Sequence, residues 1–146
     1  MPTNIQISEC RDLFGGAIRA VVPAEFTDVS SLRQVPDNQE VFAHADTDRS
    51  LLFELLQSEQ DEANESSCPA HFHWDVLARD SAARDSFIIH EEQIPLHRLA
   101  PALAQGDPNV LASIAYGTHH VSKFRDSDER ANVVLVSVAC IRLPRA

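Results

Sequence analysis

Cysteine is scarce and poorly placed for cross-linking. The three thiols, Cys10, Cys68 and Cys140, cannot all pair within one chain and no CxxC spacing occurs, so neither a disulfide framework nor a zinc site is signalled. Such usage fits a reducing compartment, cytosol or nucleus. Cys140 lies in the apolar run VVLVSVACI, where a buried, inert thiol is the ordinary state. Long hydrophobic runs are missing as well. No stretch approaches the roughly 20 apolar residues that span a bilayer. The N-terminus MPTNIQISECRDLFGG has neither a basic leader nor a continuous apolar segment, so secretion and membrane insertion are not expected. No GxSxG elbow places a serine on a strained turn, and Gly15-Gly16 fit neither a Walker loop nor a dinucleotide loop. HExxH is absent too. His71-x-His73 and His119-His120 come nearest to a cluster, and with no evident carboxylate beside them they read as exposed or packed imidazoles. The expectation is a protein without catalytic residues, metal or cofactor.

What is present is enough for one compact domain: 146 residues, 44% of them hydrophobic. The formal net charge is −10, and residues 25–65 carry eleven Asp and Glu against Arg33 and Arg49 alone. An acidic region repels a phosphate backbone, which argues against nucleic acid and favours a basic protein partner.

Along the chain, AIRAVV (17–22) has strand chemistry, Gly15 and Gly16 permit a tight turn before it, and Pro23 stops its ladder. Asp28, Ser30 and Ser31 offer capping oxygens for a short turn around Leu32, and Pro36 blocks a longer helix. EVFAH (40–44) alternates as a half-buried strand. SLLFELLQ (50–57) is ambiguous, because its leucines have helical spacing while its length suits a strand; periodicity slightly favours helix. Residues 58–68 read as an acidic exposed loop. Residues 70–83 read as an irregular helix with Phe72, Val76 and Leu77 inward, followed by strand chemistry at Phe87–Ile89. Leu96, Leu99 and Leu103 fit a short helix that Pro101 interrupts unless it sits early. Residues 111–124 and 131–143 flank the charged tip RDSDER as an antiparallel hairpin, the second arm expected near the sheet centre. These elements describe an α+β domain.

One stretch differs in kind. Val35-Pro36-Asp37-Asn38-Gln39-Glu40-Val41-Phe42 packs charged and amide side chains onto a proline-stiffened bend between strand-like segments. A preorganised polar surface loses little freedom on docking, which suits protein recognition. Satisfying a turn would explain Asp37 and Asn38 equally well.

At these residues the chain resembles the Ran guanine nucleotide release factor family, the Mog-type Ran-binding proteins. The blocks LFGGAIRAVVP, DVSSLRQVPDNQEVF and SLLFELL carry the resemblance, and AHFHWDVLARD, YGTHHVSKF and VACIRLP extend it over most of the chain. It implies an α/β/α sandwich of PsbP-like type, a mostly antiparallel sheet of about six strands with helices on both faces, in which SLLFELL is a strand. It implies one domain over residues 1–146, shortened at its C-terminus by the family's last strand and helix. It implies a non-enzymatic protein that binds Ran, promotes guanine nucleotide release and supports nuclear protein import, in nucleus and cytoplasm. A second Ran-binding protein is a possible co-partner. The default oligomeric state is a monomer, unless the shortened sheet pairs with another copy. On the resemblance Asp37, Asn38, Gln39 and Glu40 match the recognition block and Glu54 the acidic position of an ELLE-like segment, with Asp28 and Arg33 shaping or bordering the patch. Gln57 stands where the second carboxylate of that segment is expected. The alternative is a scaffold or trafficking adaptor that uses this fold for another protein.

Overall fold

The computed structural model describes residues 7–57, 68–103, 105–107, 109–122 and 131–143. Among them, eight strands form three antiparallel sheets in the orders β1-β2, β3-β4-β5 and β6-β7-β8, so the mostly antiparallel, helix-poor character expected from the sequence is found. The chain divides into two compact units, residues 1–57 and 58–146.

The first unit opens with a hairpin that the sequence reading passed over. β1 (Ser8–Leu13) pairs with β2 (Ile18–Pro23), Ser8 opposite Pro23 and Leu13 opposite Ile18. Pro23 thus ends the ladder as its last member. The connection Phe14–Gly16 holds three successive left-handed residues, with φ of 50° at Phe14, 66° at Gly15 and 93° at Gly16. Glycine reaches that region without the Cβ clash that other residues suffer, so the Gly-Gly pair is what lets the chain reverse here. β3 (Phe26–Asp28), β4 (Gln39–His44) and β5 (Ser50–Glu54) make a meander. Leu13, Val22, Phe26 and Phe42 are its buried core, with Phe14, Ala20, Leu51 and Phe53 packed around them. SLLFE is therefore a strand. Its hydrogen-bonded register against β4 outweighs the helical spacing of its leucines.

The second unit is a sheet of β6 (Asp85–Ile94), β7 (Leu111–Ser122) and β8 (Ala131–Arg142) with helix α1 (Pro69–Asp80) packed on one face. Cys68 precedes the helix and Pro69 occupies its first turn, where a missing N–H leaves nothing unsatisfied. The Ala70 N–H is capped from the sheet, donating to Ser113 Oγ at 2.9 Å. Three expectations need correction. The inward helical residues are Pro69, Ala70 and Trp74, whereas Leu77 is exposed and Phe72 and Val76 are only half-buried; the i, i+4 pair 70/74 sets the face. β7, not β8, is the central strand. Cys68, assigned by sequence to an exposed loop, is buried, while residues 58–67 and the tip 125–130 lie outside the described residues. The short helix α2 (Leu96–Leu99) ends before Pro101, because the preceding Ala100 is pushed to φ −141°, ψ 77°.

The histidines do not gather. Among the described residues no group of three or more His, Cys, Asp or Glu is placed to hold a metal ion. His71 does find carboxylates that the sequence did not announce, Glu91 on β6 and Asp75 one helical turn on. His119 and His120 point to opposite faces of β7: His119 under Trp74 and His120 against Phe87.

His119 is 3% exposed, and its Nε2 has no hydrogen-bond partner among the described residues. Burial holds its pKa below the ordinary 6.5. The unfolded chain therefore takes up this proton first as pH falls through 6.5, and the folded state loses ground until the folded imidazole protonates in turn. Unfolding free energy should be flat in this contribution above pH 6.5 and fall by at most about 1.4 kcal/mol per pH unit below it. Denaturant titrations at neutral and mildly acidic pH, compared with His119→Gln, check the slope; equal slopes remove His119 as its source.

Candidate partner-binding site

The bend singled out by sequence is a β-turn. The Gln39 N–H donates to the Pro36 carbonyl at 2.9 Å, with Asp37 and Asn38 at the centre. Short polar residues such as this Asp-Asn pair suit the tip of such a turn. Asn38 then ties the turn to the chain leaving β5. Its carbonyl accepts the Leu55 N–H at 2.9 Å, and its Nδ2 donates to the Leu55 carbonyl at 3.1 Å. One residue on, Gln39 and Glu54 are cross-strand partners, and Gln39 Nε2 donates to Glu54 Oε1 at 2.8 Å. The sheet register thus brings together Asp37, Asn38, Gln39 and Glu54.

The remaining expected residues stand apart from that group. Strand alternation turns Glu40 to the face opposite Gln39. There it is half-buried, and its Oε1 accepts the Phe14 N–H at 2.7 Å. Glu40 therefore braces the left-handed turn at Phe14–Gly16, a role that the density of charges in the sequence concealed. Asp28 caps the 3-10 turn Val29–Ser31, its Oδ1 accepting the Ser30 N–H at 2.8 Å while Ser31 Oγ donates to its carbonyl at 3.0 Å. It pairs with Phe42, roughly 10 Å along β4 from Gln39 at the usual strand rise, and so lies outside the cluster. Arg33 follows that turn with its backbone N–H bonded to Val29. Its guanidinium is exposed and makes no hydrogen bond or ion pair among the described residues, and the same holds for the Asp37 carboxylate.

Sequence reasoning missed the apolar part of this surface. Leu55 and Leu56 directly follow Glu54 and are exposed; the only signal was their place in a run whose secondary structure was ambiguous. It also missed Arg11. That side chain donates to the Phe26 carbonyl at 3.3 Å and lies over the Phe42 ring, supporting β3 and β4 from β1. The finished site offers two exposed carboxylates, two tethered amides and neighbouring leucines on a backbone fixed by reciprocal hydrogen bonds, an arrangement for gripping a macromolecular surface.

Comparison with known proteins bears on the family and the fold. The family model described as Ran-interacting Mog1 protein matches residues 11–146. The Ran guanine nucleotide release factor of Danio rerio is 36% identical over 137 residues, covering 92% of this chain and 70% of that protein. The nuclear import protein MOG1 of Saccharomyces cerevisiae is 54% identical over 37 residues, 25% of this chain and 17% of that protein. The crystal structure of the S. cerevisiae Ran-binding protein Mog1p superposes with a TM-score of 0.63 at 24% identity, over 94% of this chain and 70% of that one, so the two share a fold. With the family model covering all but the first ten residues, this chain belongs to the Ran-interacting Mog1 protein family.

Proposed function

We propose that this chain binds the small GTPase Ran and promotes loss of its bound guanine nucleotide, in support of nuclear protein import. The observation that carries the reading is the family match across residues 11–146, with a release factor 36% identical over nearly the same span. The polar turn supports it from the structural side, because an acidic, prefixed surface complements a basic patch on a partner. The protein acts by contact and not by chemistry on a substrate. To expel nucleotide it must bind empty Ran more tightly than loaded Ran, and each 1.4 kcal/mol of that difference weakens nucleotide binding about tenfold. One copy suffices for docking, in nucleus or cytoplasm, with or without a second Ran-binding protein. The match to one family model across both compact units supports a single Mog-type domain, and the layered, PsbP-like sandwich belongs to the same reading.

The test is nucleotide release from Ran followed by fluorescence. Glu54→Ala removes a carboxylate held by Gln39 at the cluster's centre and should weaken the acceleration by on the order of 2 kcal/mol. Asp37→Ala, at the exposed tip, should slow association mainly at low salt, where surface charges are least screened. Undiminished acceleration by both variants would exclude the turn as the contact, and failure of the wild-type chain to bind empty Ran would sink the function itself.

A further inference from the structure

Glu40 lies on the core face of β4, where apolar side chains are the rule. Strand alternation sets it on the side of Phe42, which is 2% exposed, and its cross-strand partner is Phe53. Phe42 belongs to the buried core of this unit, and Phe53 and Phe14 pack against that core. A charge drawn toward such surroundings costs desolvation unless it is hydrogen-bonded. Among the described residues Glu40 meets this cost through Phe14, whose N–H donates to Oε1 at 2.7 Å. The donor is the first of three left-handed residues, in a conformation that a non-glycine residue keeps only where its surroundings enforce it. A short bond from a backbone N–H to a carboxylate is of the strong kind. The same strand start carries the candidate partner-binding cluster. Gln39 is the first residue of β4, and its pairing with Glu54 is the last rung of the β4-β5 ladder, a place where local opening is easiest. The bonds of Asn38 and Gln39 to Pro36, Glu54 and Leu55 all lie within the bend or between it and the chain leaving β5. The Glu40 side chain is the one beside them that reaches the β1-β2 hairpin.

We propose, resting on the Ran-binding reading above, that Glu40 is a positioning residue for that contact and not itself a contact. It touches Phe14 instead of Ran. By pinning the start of β4 to the β1-β2 hairpin, it keeps the Gln39–Glu54 rung in the shape that Ran meets. The role needs an oxygen that accepts a hydrogen bond, and no negative charge. That separates Glu40 from Asp37, whose exposed carboxylate is proposed to act through its charge. Without the brace, only a fraction of the chains hold the rung closed at any moment, and the apparent affinity for Ran falls by that fraction.

Glu40→Ala and Glu40→Gln test this, with binding to nucleotide-free Ran measured at low and high salt, at a temperature where circular dichroism shows each variant folded. The Gln side-chain oxygen can still accept the Phe14 N–H. Glu40→Ala should bind empty Ran about tenfold more weakly, the worth of one hydrogen bond to a charged group, and by the same factor at both salt concentrations. Glu40→Gln should recover most of that loss. Deuterium exchange at the Phe14 N–H, followed by NMR on the protein alone, should be faster in Glu40→Ala than in wild type or Glu40→Gln. A role in stability alone would move the urea midpoint and leave the affinity of the folded protein unchanged, so unchanged affinity in Glu40→Ala overturns the proposal. Equal weakening by both variants, with a deficit that fades at high salt, overturns it too and makes Glu40 a charged contact with Ran. In both cases wild type still binds and the Ran reading stands. A wild-type chain that does not bind empty Ran removes that reading, and this role with it.

Discussion

Gly117→Ala will destabilise the β6-β7-β8 sheet by about 3 kcal/mol, because overpacking that only the backbone can relieve lies at the costly end of core substitutions. A Cβ at position 117 would sit 1.9 Å from the Phe87 carbonyl oxygen and 2.9 Å from Ile88 Cα. Both are backbone atoms of the neighbouring strand, so no rotamer change makes room. The close approach arises where the register of β6 shifts between Ile88 and His90, opposite Gly117, and glycine is the residue that tolerates it. A loss of that size is a large share of the 5–15 kcal/mol that separates folded from unfolded domains. Urea titration followed by circular dichroism measures it. Gly106→Ala is the control: its Cβ would approach only the Leu103 carbonyl oxygen, at 3.3 Å, a contact that a surface turn relieves by a small shift. A Gly117→Ala midpoint equal to that of the control would mean that β6 and β7 are not so close.

Trp74→Ala should cost about 3–5 kcal/mol, the range for deleting a buried aromatic side chain. Trp74 is 1% exposed, packs with Cys68, Ala70 and Ala115, and sets its ring edge-on to His119 at 4.4 Å between centroids. Its removal takes away the largest fully buried side chain among the described residues and opens a space beside His119, whose Nε2 has no hydrogen-bond partner among them. Water entering there lightens the burial that holds His119 below its ordinary pKa. The variant should therefore be less stable and also show a shallower loss of stability below pH 6.5 than wild type. Leu77→Ala, three residues along the same helix but exposed, should cost less than about 1 kcal/mol. Comparable losses for Trp74→Ala and Leu77→Ala would show that the helix buries a different face.

Leu77 shows where sequence legibility ended. EVFAH was readable because a period of two is a direct record of two unlike faces, and the final hairpin because two strand-like runs flank the charged tip RDSDER. β1 was not readable, since SECRDL is almost wholly polar and buries only its last residue, Leu13. β8 reads as a central strand because apolar residues fill both of its faces, yet one face meets a helix and the other meets nothing described. The helix was located to within a few residues but rotated, because Phe72 and Leu77 outweigh Ala70 in any hydrophobicity count while Ala70 and Trp74 are the pair the sheet accepts. For the site, Pro36-Asp37-Asn38-Gln39 was legible as a stiff polar bend. The partnership of Gln39 with Glu54 is a matter of strand register, which no local spacing expresses. The hydrogen bond of Glu40 was hidden for the same reason: adjacent in sequence to Gln39, it reaches a turn 26 residues away.

The tether at Asn38 also bears on how the protein ages. Asparagine deamidates when the backbone nitrogen of the next residue attacks its side-chain carbonyl, leaving an aspartate or isoaspartate in place of the amide. Here that nitrogen, on Gln39, donates to Pro36, and the Asn38 amide is held against Leu55, so neither reactant is free to swing into the cyclic intermediate. The same hydrogen bonds that fix the turn's shape therefore slow a reaction that would add a negative charge at its tip and lengthen its backbone by one atom.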